Sequence, residues 1–223
     1  MRSTGLPDNF EYHLSKDFLP LLFITALHQE SAPLMALINL KRHQSRYRYA
    51  YYTNQEKILH VLETGPGPGI NRETLLKNIE LIKPSLIINY GICGTLDPAI
   101  QIHRNYFIRL VREAASGKEL LLPKPAWLKN HIYPEKKLLT VQKPVFSSVA
   151  RTQLHKESGC TLVDMEGFTV ASIAIDLSVP VILLKLVTDR ADEKSGELVK
   201  LNVKIWQEKL NQMLHQLFHS MIS

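Results

Sequence analysis

Three carboxylic acids stand where an apolar run gives out. Glu30 comes shortly after LPLLFITA (Leu19 to Ala26), Glu166 follows TLVDM, and Asp189 closes VPVILLKLVTD. A carboxylate beside the end of a buried strand must be ion-paired, hydrogen-bonded or shifted in pKa. Groups of that kind move protons near neutral pH or stabilise developing charge. Each acid also has a plainer explanation. Glu30 could cap the helix that follows it, Glu166 could sit in the first turn of another, and Asp189 could begin a turn with Arg190. Convergence of three on one edge favours a site, but the pattern alone leaves the matter open.

The elements that would position them follow from periodicity. LPLLFITA, SLIINYG (Ser85 to Gly91) and VPVILLKLVTD (Val179 to Asp189) are continuous apolar runs, the mark of strands buried on both faces. Further strands are expected at Asn105 to Glu113, Lys118 to Leu122 and Lys136 to Gln142. YRYAYY and KILHVLET, separated by Asn54 and Gln55, read as a hairpin. Helices are expected from Ala32 to Leu40 with Pro33 in the first turn, from Asn71 to Ile82 up to Pro84, and from Ser148 to Glu157. Others follow over residues 167–177 and as one amphipathic helix from Glu197 to Met221, with Leu198, Leu201, Ile205, Leu210, Met213, Leu214 and Phe218 on one side. Apolar strands alternating with helices imply a single α/β domain with a central mixed, mainly parallel β-sheet flanked by helices. Ligands of such sheets lie at the carboxyl ends of the strands. Those ends are Glu30, the GPGPG loop (Gly65 to Gly69), GICG, Asp164–Glu166 and Thr188–Asp189.

Bulk properties narrow the class. The 223 residues, 45% of them hydrophobic, suffice for one core, and no Ser/Gly-rich linker or repeat divides them. Residues 1–17 read as a loose extension and 18–223 as the domain. The formal charge of +6 invites a nucleic-acid reading, yet basic residues lie beside acids instead of forming a stripe. RHQSRYR (Arg42 to Arg48) is the densest basic stretch, and Tyr47, Tyr49 and Tyr51 within and beyond it alternate as in a strand. No nucleic-acid partner is expected. Cys93 and Cys160 form no framework, their spacing suits no metal site, and no His-Glu-x-x-His pair occurs. The apolar stretch from Phe18 to Leu27 is too short to span a bilayer, and Glu11 and Asp17 flank it with the wrong sign for a secretory leader. The expectation is a cytoplasmic protein without metal or redox cofactor.

TLVDMEGFTVASIAIDLSVPVILLKLVTDRAD (Thr161 to Asp192) resembles the carboxyl-terminal signature of the purine nucleoside phosphorylase and nucleosidase superfamily. That signature is a Met-Glu pair opening a helix, then a Val-Pro strand ending in Ser/Thr-Asp. It is most similar to the methylthioadenosine/S-adenosylhomocysteine nucleosidase branch. ITALHQES (Ile24 to Ser31), TGPGPGIN (Thr64 to Asn71) and LIINYGICGTLDPAI (Leu86 to Ile100) resemble further family segments in the expected order.

The resemblance implies roles. Glu30 would polarise an attacking water, and Asp189 would hold or protonate N7 of a purine. Glu166 would accept a hydrogen bond from the ribose 2′-hydroxyl, and Met165 would pack beneath the sugar. Phe146, with Val145 second, is the candidate to stack on the base, and Ile92 lines the presumed pocket. Lys185 matches a position that is usually arginine and could help organise Glu30; a lysine within an apolar strand favours some pairing role. In phosphorolytic relatives an arginine and a serine cradle phosphate, and the aligned Asn89 and Ile92 supply neither charge nor hydroxyl. Hydrolysis is therefore expected over phosphorolysis.

Ile92, GPGPG and QKPVF depart from the family pattern, which leaves methylthioadenosine, S-adenosylhomocysteine, futalosine and adenosylhopane as substrates to separate. The last two belong to specialised bacterial branches. A nucleoside-binding module without turnover is the rival from another class, and retention of all three acids argues against it. The resemblance also implies a homodimer.

Overall fold

The structure, a computed structural model, describes residues 14–43, 48–67, 70–128 and 133–222. In chain order its strands are β1 (Leu21–Thr25), β2 (Lys41–His43), β3 (Ala50–Thr53), β4 (Leu59–Glu63) and β5 (Leu86–Thr95), then β6 (Asn105–Glu113), β7 (Glu119–Leu121), β8 (Glu135–Thr140), β9 (Leu162–Asp164) and β10 (Val181–Asp189). The helices are α1 (His28–Leu37), α2 (Arg72–Ile82), α3 (Ser148–Ser158), α4 (Gly167–Asp176), α5 (Ser195–Leu201) and α6 (Val203–Met221).

All strands belong to one mixed sheet. The expected parallel pairing holds at its centre, where β4, β1, β5 and β10 run side by side in the same direction. Every residue of β1 is buried, as a strand covered on both faces requires. β2 and β3 extend the sheet beyond β4 by antiparallel pairing. On the other side β10 pairs with β6, β6 with β8, β8 with β9, and β9 returns to β5 at Gly94 and Thr95. Half the sheet thus closes on itself around β5. Helices α1 and α6 pack together over the central strands, and α4 covers β5, β6, β8 and β10 with α2 against it.

Several expectations needed correction. Helix α1 begins at His28, not near Ala32, which moves Glu30 into its first turn and Pro33 into its interior. Proline cannot donate to the Gln29 carbonyl four residues back; Gln207 Nε2 from α6 donates to it instead, at 2.9 Å. The long carboxyl-terminal helix is two helices broken at Asn202, with Trp206 Nε1 donating to Val199 O at the corner (2.9 Å). Leu198, Leu201 and Ile205, expected on the apolar side, are exposed; the buried face of α6 is Trp206, Leu210, Met213, Leu214, Leu217, Phe218 and Met221. The hairpin turn spans residues 54–58 because Asn54 Oδ1 accepts the N–H groups of both Ile58 and Leu59 (3.0 Å each).

The expectation for residues 1–17 falls mostly outside the described residues. Leu14 is already buried in the main core, and the Ser15 N–H donates to Met221 O (3.5 Å), so packed chain begins before residue 18. Tyr47, with residues 44–46, and residues 68–69 of the GPGPG loop also lie outside the described residues.

Candidate active site

Glu30 is the most firmly held of the three acids. Its Oε2 accepts the N–H groups of Ala26 (2.9 Å) and Leu27 (2.8 Å), and its Oε1 accepts the N–H of Ile92 on β5 (2.8 Å). The bond to Leu27 is half of a helix cap, so the plainer explanation is partly true. A cap alone needs neither burial to 3% exposure nor a reach of 62 residues to the central strand. Burial pushes the Glu30 carboxyl above its ordinary range, against the lowering pull of the Ile92, Leu27 and Ala26 N–H groups and the charge of Lys185. Ile92 serves this site through its backbone, which no reading of its side chain could anticipate.

Glu166 precedes α4, yet its side chain does not cap that helix. Its Oε1 accepts the Gly67 N–H at 2.7 Å, so the loop after β4 is fastened to the Met165–Glu166 turn. Gly67 has a φ of +54°, and the Met165 side chain occupies the space where a Cβ would stand. Desolvation, then the neighbouring Asp164, raise the Glu166 carboxyl to about 7, while Lys185 and the Gly67 N–H oppose them.

Asp164, at the end of β9, carries a role that the apolar-run pattern did not assign. Its Oδ2 lies 2.9 Å from Lys185 Nζ, with the two side chains 1% and 2% exposed. Its Oδ1 accepts the Thr140 hydroxyl (2.7 Å), and Oδ2 also accepts the Gly167 N–H at the start of α4 (2.9 Å). Burial alone would discharge Lys185, but the carboxylates of Asp164, Glu166 and Glu30 outweigh it and hold the ammonium charged. Lys185 thus pairs directly with Asp164 and reaches Glu30 only through its field. The available signal was a buried lysine inside an apolar strand, which demands a nearby acid.

Asp189 ends β10 after a register irregularity between Val187 and Asp189, which sets Asp189 opposite Gly94. Such a bulge re-aims a side chain at a sheet rim. Asp189 Oδ1 accepts the Ala191 N–H (2.8 Å) and Oδ2 the Thr188 hydroxyl (3.0 Å). Burial raises its pKa against the lowering influence of Ala191 N–H and the hydroxyls of Ser195 and Thr188. Phe146 lies next to the start of α5, whose Ser195 hydroxyl bonds Asp189. Its ring stands beside Gly196 in α5, about half exposed.

These contacts converge on one segment of β5. Glu30 is bonded at Ile92, Asp189 stands against Gly94, and Lys185 is in register with Gly91. Ile92, Gly94, Met165 and Asp189 are partly exposed, whereas Glu30 and Glu166 are buried. Two hollows, of about 820 Å³ along α3 and 520 Å³ between α1 and α6, include none of the three acids. Among the described residues no group of three or more His, Cys, Asp or Glu could hold a metal ion, and no helix is long and apolar enough to cross a membrane.

Residues 129–219 match the family described as the phosphorylase superfamily. The chain shares its fold with solved nucleosidase structures. A futalosine hydrolase mutant of Helicobacter pylori superposes with a TM-score of 0.78 at 16% identity, covering 88% of this chain and 96% of that one. Arabidopsis thaliana 5′-methylthioadenosine nucleosidase gives 0.77 at 21% identity, covering 89% and 94%. Streptococcus pyogenes S-adenosylhomocysteine nucleosidase in complex with 5-methylthiotubericidin gives 0.78 at 19% identity, covering 91% and 97%. No curated protein matches the chain by sequence. The stretch matched by the family holds Phe146, Met165, Glu166, Lys185 and Asp189, whereas Glu30 and Ile92 lie outside it. Glu30 reaches Ile92, two residues before the Gly94 that Asp189 faces, only in the folded chain.

Proposed function

We propose that this chain is a nucleosidase that hydrolyses the N-glycosidic bond of an adenosine-type purine nucleoside, such as methylthioadenosine or S-adenosylhomocysteine. Breaking that bond leaves positive charge on the sugar and electron density on the purine. Asp189, whose carboxyl burial favours keeping a proton, donates to N7 so that the base leaves neutral. Glu30 orients and polarises the water, and Glu166 accepts a hydrogen bond from the 2′-hydroxyl above Met165. Their negative charge stabilises the oxocarbenium-like sugar. Phe146 is proposed to stack on the base from the α5 side. The chemistry runs on the chain's own carboxyl groups.

One observation carries the choice of water over phosphate. The N–H of Ile92, at the position where relatives cradle phosphate, is already taken by the buried Glu30 carboxylate. Asn89, at the other aligned position, is buried with its Nδ2 donating to Ile24 O (3.0 Å). An incoming phosphate would meet the Glu30 carboxylate at Ile92 and, at Asn89, neither a positive charge nor a hydroxyl.

A homodimer is part of the proposal, supported by the exposed apolar side chains of Phe146, Val149, Leu198, Leu201 and Ile205; light scattering in solution tests it. A cytoplasmic location belongs to the same reading. The activity is tested by incubating the protein with methylthioadenosine, S-adenosylhomocysteine, futalosine and adenosylhopane, and following free base. Release from the first two supports the preferred class, release from only one of the others reassigns the substrate, and no release from any refutes turnover.

A further inference from the structure

Four ionisable side chains, each less than a tenth exposed, share one electrostatic field: Glu30 from α1, Asp164 from β9, Glu166 from the turn before α4, and Lys185 from β10. Three acids and one base cannot balance. Lys185 is bonded to Asp164 and to neither glutamate, and Asp164 is fixed from two further sides by Thr140 and Gly167. The pair therefore cancels internally, and Glu30 and Glu166 are left without a cation of their own. Uncompensated carboxylates in a buried site are costly, and a sugar that becomes positive in the transition state is the partner that relieves them. A lysine free to approach them would oppose that charge instead.

We propose that Asp164 is a positioning residue: by pairing with Lys185 it cancels the ammonium charge, so that Glu30 and Glu166 present their negative charge to the reacting sugar. This rests on the nucleosidase reading. The groups that face Glu166 are Asp164 beside it, Lys185 from β10, Glu30 from α1 and the Gly67 N–H. Cys93 on β5 also lies within the field of Lys185, and burial keeps its thiol protonated.

The test is a double-mutant cycle of Asp164→Asn and Lys185→Met, reading kcat and KM on a nucleoside that the wild type cleaves. The ligand-free proteins are examined in parallel by carbon-13 NMR titration of the Glu166 carboxyl, assigned with Glu166→Gln. Asp164→Asn alone should lower kcat about 10- to 100-fold with little change in KM, because it releases the ammonium onto the glutamates. The double variant, which removes both charges and is the least exposed to misfolding, should recover at least about tenfold of that loss. Glu166 should titrate lower in Asp164→Asn than in the wild type. If Asp164 only anchors α4 through Gly167, the double variant will be no better than the single one, and the proposal fails. An unchanged Glu166 titration also overturns it, whatever the activity. A shifted titration in a protein that cleaves no nucleoside supports the charge relation and removes the nucleosidase reading alone.

Discussion

Adding one methyl group at Gly91 should disable this protein without unfolding it. A Cβ at Gly91 would stand 2.5 Å from Glu30 Oε1, 2.9 Å from Cδ and 3.2 Å from Oε2. Those separations are too short to survive, and the carboxylate is not free to swing, since three backbone N–H groups hold it. Hydrogen bonds to a charged group contribute about 1.5–3 kcal/mol each. Gly91 lies within β5, so alanine suits its backbone and recovers about 0.4–1 kcal/mol through the unfolded chain. Loss of one of the three bonds would then leave a net destabilisation of about 0.5–2.6 kcal/mol. Displacing the carboxylate by ~1 Å should cost about 100-fold in the chemical step. Gly91→Ala is to be compared with wild type by kcat/KM for release of free base and by thermal unfolding. A folded Gly91→Ala protein of undiminished kcat/KM would refute the reasoning that Glu30 must sit where it does.

Three further outcomes follow from the same geometry. Glu166, raised to about 7 by burial and by Asp164, favours the folded state at low pH and loses that contribution as pH rises from about 4.5 through about 7, a span worth at most about 3 kcal/mol. Glu166→Gln keeps an acceptor for the Gly67 N–H, so it should melt higher than wild type at pH 8 while turning over more slowly; melting curves from pH 5 to 8 read both slopes. Asp189→Asn retains acceptors for Ala191 and Thr188 only in part and cannot give up a proton, so kcat should fall by about 100-fold or more while KM changes little. Equal activity in that variant would remove Asp189 from proton donation. His60 is buried with its pKa lowered to about 4 by desolvation, so its contribution to stability is lost as pH falls from about 6.5 to about 4, opposite in slope to that of Glu166, and the difference between wild type and His60→Gln melting curves should show it.

The buried strands were legible because the central sheet writes itself as apolar runs, and the ends of β1 and β10 pointed to Glu30 and Asp189. What periodicity could not show was contact between distant segments. The return of β9 to β5 rests on two paired residues, and β9 itself is only three residues long. Asp164 was hidden for that reason: its importance comes from Lys185, 21 positions later by sequence and 2.9 Å away in space. Helix α1 was placed too late in the chain because Pro33 looks like a helix start, and only the folded chain reveals that Gln207 satisfies the carbonyl it orphans. The break at Asn202 was invisible for a similar reason, since Leu198, Leu201 and Ile205 continue a helical period although the chain turns between them.

The most direct measurement of the central claim is to run the reaction in oxygen-18 water with phosphate present and analyse the sugar. A buried glutamate bonded across the phosphate position predicts free sugar carrying one labelled oxygen at the anomeric carbon, at a rate that phosphate does not raise. An unlabelled sugar 1-phosphate, formed only when phosphate is added, would contradict it.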